Sequence, residues 1–166
     1  MITKTSLLAT RALLCLAKDQ QATATPPRSI ALRLGESPAY MAKVLRSLVK
    51  AGILRAEHGS KGGVLLNRRP DEITLLAVVE ACQGAIVGSY CGDIDDVRAT
   101  CAFHRAAVEL REAITDVLSH WNLEHLVNAP GPSNRLPGGK QCMMPVFPLS
   151  LGAASAPGAR KRNAVK

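Results

Sequence analysis

A mainly α-helical fold carrying one small β-hairpin is expected of this 166-residue sequence, on three observations. Between Pro38 and Lys50 the apolar residues Met41, Val44, Leu45, Leu48 and Val49 recur at i, i+3, i+4, i+7 and i+8, the period of one buried helical face. Two short apolar runs follow, residues 53–57 and 63–67, joined by His58-Gly59-Ser60-Lys61-Gly62, the pattern of a hairpin with a small cationic tip. Further on, Phe103, Ala107, Leu110, Ile114, Val117 and Trp121 alternate four- and three-residue steps, an a/d seam nearly three heptads long that suits a second helix.

The helices can be taken in order. Residues 3–18, with Leu7, Leu8, Ala12, Leu14 and Leu16, are apolar around much of the helical circumference and should be largely buried. A polar connector, 20–25, leads to Thr25-Pro26, read as a cap-and-proline start for a short helix over 26–34 that buries Ile30, Ala31 and Leu34 and turns Arg28 and Arg33 outward. Gly35-Glu36 makes a tight turn. Ser37 can then cap the next helix, and Pro38 stands where a missing N–H costs nothing. Ala51-Gly52 stops it, because glycine accepts the left-handed cap. Helix, turn, helix and basic hairpin at these lengths compose a winged helix-turn-helix. Residues 71–82 return to helix, with Asp71 and Glu72 in its first turn and Leu75, Leu76, Val79 and Cys82 as an apolar stripe; Cys82 is most simply a small buried residue. The long helix runs from Ala102 to about Trp121, and residues 122–126 add a last turn.

Charge is segregated along the chain. The total is +8. Residues 26–70 carry nine Lys/Arg against Glu36 and Glu57, a local +7, whereas residues 71–127 sum to −7. Cations concentrated on a helix and hairpin are what displacing counterions from phosphates requires. The N-terminal part of a reading helix faces base edges, so Ser37, Ala39, Tyr40 and Lys43 are candidates for base contact. Arg46, Lys50, Lys61, Arg68 and Arg69 are candidates for the phosphate backbone, which positions the protein and carries no sequence information, and Arg28, His58, Gly59 and Ser60 are further candidates for DNA contact. Arg11 is a candidate for either a phosphate or a surface ion pair.

The runs Ser37-Pro38-Ala39-Tyr40-Met41, Leu48-Val49-Lys50-Ala51-Gly52-Ile53-Leu54, His58-Gly59-Ser60-Lys61-Gly62-Gly63-Val64-Leu65-Leu66 and Asp71 through Ala81 resemble the Rrf2 family of bacterial winged helix-turn-helix regulators, which includes IscR, NsrR and RirA. The resemblance covers residues 1 to about 127. It implies a DNA-binding domain over 1–83, a sensor loop over 84–100 and a dimerisation helix over 101–127. It also implies double-stranded DNA as partner and a homodimer joined through Phe103, Ala107, Leu110, Ile114, Val117 and Trp121. The family's wing usually has arginine where His58 stands and tyrosine near Val64-Leu65, and relatives often have glutamate and glutamine at Ala42 and Lys43. A different operator is therefore expected.

In cluster-binding members the loop holds three cysteines, and one type adds a histidine after the third. Cys91, Cys101 and His104 match three of these positions, but the middle cysteine falls among Ile94-Asp95-Asp96-Val97 and is missing. The acidic first-helix ligand of some relatives is replaced by Leu7. Iron-sulfur clusters usually take about four ligands. A [2Fe-2S] cluster completed by Asp93, Asp95, Asp96 or a partner subunit, a mixed-ligand metal site, a thiol pair that oxidises, and a degenerate loop with no cofactor all stay open. Sensing by iron, redox state or nitric oxide, and a repressor role, are expectations of the same kind.

Five cysteines without a regular framework argue against a disulfide scaffold and for a reducing, cytoplasmic setting. No run of apolar residues is long enough to span a membrane. Residues 128–166 hold six of the ten prolines, six basic residues and no acid, the composition of a disordered basic tail. Cys142-Met143-Met144 within it is a weak candidate for soft metal ligation. No nucleophile with a base, phosphate loop or paired carboxylates can be argued, which speaks against an enzyme. The alternative from another class is a protein-interaction module without cofactor.

Overall fold

The structure, a computed structural model, describes residues 2–19, 23–59, 62–86 and 100–128. Among the described residues, six α-helices and one hairpin follow one another: α1 (Lys4–Asp19), α2 (Pro27–Leu34), α3 (Pro38–Lys50), β1 (Leu54–Glu57), β2 (Gly63–Leu66), α4 (Leu75–Gln83), α5 (Ala102–His120) and α6 (Leu123–Asn128), with one 3-10 turn at Pro70–Glu72. Residues 1–130 form one compact unit.

The helix-turn-helix is built as its residue pattern requires. Ile30, Ala31 and Leu34 of α2 and Met41, Val44, Leu45 and Leu48 of α3 are buried against Leu8, Ala12, Leu13 and Leu16 of α1. The turn between α2 and α3 closes on Gly35, whose φ of 68° lies in the left-handed region that favours glycine. Ser37 caps α3 by accepting from the Tyr40 backbone N–H at 3.2 Å. At the other end, Gly52 N–H donates to Val49 O and Ile53 N–H to Leu48 O, so the chain reverses directly into β1.

β1 and β2 pair antiparallel with Leu54 opposite Leu66 and Glu57 opposite Gly63. A third segment joins them. Thr25 and Val64 exchange two backbone hydrogen bonds of 3.0 Å, so Thr25 serves as strand and not as the cap expected for α2. The cap position of α2 falls to Pro26, which has no side-chain hydrogen bond to offer.

Asp71 and Glu72 sit outside the following helix. Ile73 and Thr74 are extended because they pair with the α5–α6 junction: Leu123 N–H donates to Ile73 O at 2.9 Å and Leu75 N–H to Trp121 O at 2.8 Å. Only then does α4 start, capped by the Thr74 hydroxyl accepting from Ala77 N–H at 3.2 Å. Cys82 is half-buried and not fully enclosed.

α5 packs on α4 and buries His104 and Leu118. Its other apolar face stays open. Phe103, Leu110, Val117 and Trp121 are exposed by 67%, 57%, 55% and 43%, while Ala107 and Ile114 are half-buried at the edge of that face. Ile2, Val79, Ile86, Ile114 and Val117 line an apolar hollow of about 340 Å³ beside it. Among the described residues, no helix is long and apolar enough to cross a membrane.

Candidate nucleic-acid interface

α3 buries Met41, Val44, Leu45 and Leu48, leaves Val49 of the expected buried face half-buried, and presents the opposite face. Ala39, Lys43, Arg46 and Lys50 lie at i, i+4, i+7 and i+11, and all four are exposed. Among the described residues, none of the three cations makes an ion pair, and neither does the exposed Arg28 on α2. An exposed cation left unpaired by its own fold is available to an external anion. Arg33, by contrast, is paired with Asp19.

Two of the four candidates for base contact have structural employment. The Ser37 oxygen is engaged as the α3 cap. Tyr40 is half-buried and its hydroxyl hydrogen-bonds the Thr5 hydroxyl at 2.9 Å, tying α3 to α1. Ala39 and Lys43 have no such commitments.

The hairpin brings His58 and Gly59 to the surface, Gly59 with φ of 116°. A Cβ at Gly62 would stand 2.7 Å from Glu57 O, so the tip closes only over glycine. Ser60 and Lys61 lie outside the described residues. At the root of the hairpin the cations are exposed but engaged by the fold. Arg68 donates to Ala51 O at 3.3 Å and Asn67 to Gly52 O at 3.1 Å, which places a positive charge and two donors on the carbonyl end of α3. Arg69 forms a two-pronged pair with Asp71 at 3.0 and 2.9 Å. Arg68 and Asn67 thus tie the root of the wing to the end of α3, while Arg69 stays within the turn that follows. Arg11 is half-buried, makes no ion pair among the described residues, and leaves its buried Nε without a partner.

Of the three candidate metal ligands, Cys91 lies outside the described residues. Cys101 occupies the cap position of α5 with an exposed thiol, and its Sγ accepts from the His104 backbone N–H at 3.5 Å. The His104 ring is buried and its Nδ1 has no partner. Among the described residues, no three His, Cys, Asp or Glu side chains come together as a metal-binding group. Cys101 and His104 offer two donors where a cluster takes about four, so these residues do not by themselves make a cluster site. The other two described cysteines are poor candidates for redox chemistry. Burial pushes the Cys82 thiol above its usual range, and it does the same for Cys15, where Asp19 adds to the effect and Arg33, Arg11 and Lys18 oppose it.

Sequence reasoning missed three ties that position the interface: Thr25 with Val64, Tyr40 with Thr5, and the Ser6 hydroxyl donating to the Gln83 side chain at 3.2 Å, which fastens α1 to α4. Only Gly63 hinted at the first, since a glycine inside a strand marks close approach of another backbone.

Comparison with known proteins agrees with this geometry. The family profile described as Rrf2, iron-dependent transcriptional regulator, matches residues 2–129. A protein of Rhizobium meliloti named aau3 is 30% identical over 149 residues, covering 87% of this chain and 96% of that protein. The transcriptional regulator IscR of Pectobacterium atrosepticum is 28% identical over 129 residues, covering 76% of this chain and 79% of its own. Among solved structures, CymR, the global cysteine regulator of Bacillus subtilis, superposes with a TM-score of 0.62 at 24% identity over 76% of this chain and 95% of that one, a likeness of fold. With its helix-turn-helix, its wing and this match along most of its length, the chain belongs to the Rrf2 family of DNA-binding transcriptional regulators and is not an enzyme.

Proposed function

We propose that the chain binds a pseudopalindromic operator as a homodimer and represses transcription there. The observation that carries this reading is the pairing of two uncovered surfaces. An unpaired cationic stripe on α3 fits a phosphate-lined groove, and an uncovered apolar face on α5 fits a second copy of itself. Two reading heads held by one two-fold axis then meet half-sites about one helical turn apart.

Signal input enters at the head of α5. Its support is the family's description as iron-dependent, the match of Cys91, Cys101 and His104 to the family's ligand positions, and the exposed Cys101 thiol that caps the helix. A change of state there would act by linkage, favouring one spacing of the two reading heads over another.

The test is a gel shift on duplexes from the promoter of the chain's own gene, over a range of salt and under reducing and oxidising conditions. A retarded, sequence-selective band that weakens steeply with salt, from a protein that elutes as a dimer, is expected. Binding without sequence preference would favour an interaction module instead. Equal operator affinity for the native chain and the Cys91→Ala, Cys101→Ala variant in every redox condition would remove the sensing role and leave the repressor.

A further inference from the structure

The structure narrows what α3 can read. A bidentate contact to adenine needs Asn or Gln, and an acceptor for the cytosine amino group needs Asp or Glu. Residues 38–50 contain none of these. Ser37 is held as the cap and the Tyr40 hydroxyl is held by Thr5, which leaves Ala39 and Lys43 in the first two turns, both exposed and unpartnered. One is a bare methyl group and the other an ammonium. In the major groove a methyl group packs best on the C5-methyl of thymine, and an ammonium is best matched by guanine, whose O6 and N7 are two adjacent acceptors where adenine N7 and thymine O4 each stand alone.

We infer that Ala39 reads a thymine methyl and Lys43 a guanine in each half-site, and that Arg46 and Lys50 further along the stripe hold the phosphate backbone. The inference rests on the DNA-binding reading above. Four residues of helix rise about 6 Å, and base pairs step about 3.4 Å. The two bases therefore lie within about two steps of each other. The arrangement also explains why a helix so poor in polar side chains can be selective: a methyl packed on a methyl discriminates by burial, and a lone ammonium by charge.

The experiment uses the full chain and duplexes that it selects from a randomised pool. Each thymine of the selected half-site is replaced in turn by deoxyuridine, which deletes only the C5-methyl. Each guanine is replaced by 7-deazaguanine, which deletes only the N7 acceptor. One thymine per half-site should lose about fourfold in affinity, the worth of one buried methyl, and Ala39→Gly should be indifferent to that replacement. One guanine within two steps should lose about tenfold, and Lys43→Met should be indifferent to it. Lys50→Met should weaken every duplex alike and keep both sensitivities. Because Ala39→Gly could loosen the helix, Ala39→Ser serves as a second variant that keeps the first turn formed and should shift the preferred base at that one position. Duplexes that bind selectively yet tolerate every deoxyuridine and 7-deazaguanine overturn the inference while leaving the operator reading intact. A chain that selects no sequence at all overturns both.

Discussion

Tyr40 lies in the first turn of α3, the proposed reading helix, yet its hydroxyl faces back to Thr5 at 2.9 Å and the residue is half-buried. The pair fixes the rotation of α3 on α1, and through it the direction in which Ala39 and Lys43 point. Removing one half-buried hydrogen bond costs about 1 kcal/mol. Tyr40→Phe should lower the free energy of unfolding by that amount, read as an earlier denaturant midpoint with an unchanged slope, and weaken all duplexes together without changing which is preferred. A shifted preference in a selection with Tyr40→Phe would instead make Tyr40 a reader of bases.

The wing depends on a glycine that carries no charge and touches no ligand. An ideal Cβ on Gly63 would lie 2.5 Å from the Thr25 carbonyl carbon and oxygen and 2.8 Å from Pro26 N, all of them backbone atoms that cannot rotate away. Gly63→Ala must therefore push Thr25 off β2 and break the two hydrogen bonds between Thr25 and Val64. The expected cost is about 2 kcal/mol. It can be read from chemical unfolding, together with faster amide exchange at Val64 than at Leu48, which lies in α3. The elements themselves were legible because each obeys a local rule: the apolar period and Ser37-Pro38 start of α3, the glycine stop, the paired runs of the hairpin, the seam of α5. Thr25 was read as a cap and Asp71 as a first helical turn because the pairings that displace them run to Val64 and to Asn122, far along the chain, and involve backbone groups that leave no pattern in residue type. The candidate interface was legible in the same proportion. Its cations could be counted in the sequence, but which were unpaired could not, since Arg68 and Arg33 are occupied by groups that only the fold brings to them.

For the molecule as a whole, the proposed homodimer makes the open face of α5 the link between the interface and assembly. Leu110 is 57% exposed in the middle of the helix and contributes little to the fold of a single chain. A charge at a surface position away from special features typically alters stability by about 0.5 kcal/mol or less. Across a homodimer it would be buried opposite its own copy, with a like charge to repel. Leu110→Glu should therefore give a chain with native helical content and near-native unfolding midpoint that sediments as a monomer and loses operator affinity by about a hundredfold or more, because the second head no longer binds as part of the same molecule. A dimer that persists with full affinity would place the interface elsewhere.

The backbone bridge between residues 73–75 and residues 121–123 has a consequence in time. The reading helix, the wing and the 3-10 turn are all synthesised before the strand-like partner that seals Ile73 exists. At roughly 5–20 residues per second on the ribosome, Leu123 follows Ile73 after about 2.5 to 10 s. Throughout that interval the nascent head has its DNA-facing residues in place in the sequence and its underside open. On the proposed reading, competence to hold an operator thus arrives with the last helices and not with the residues of α3, so a chain cut short before Leu123 would neither pair nor read.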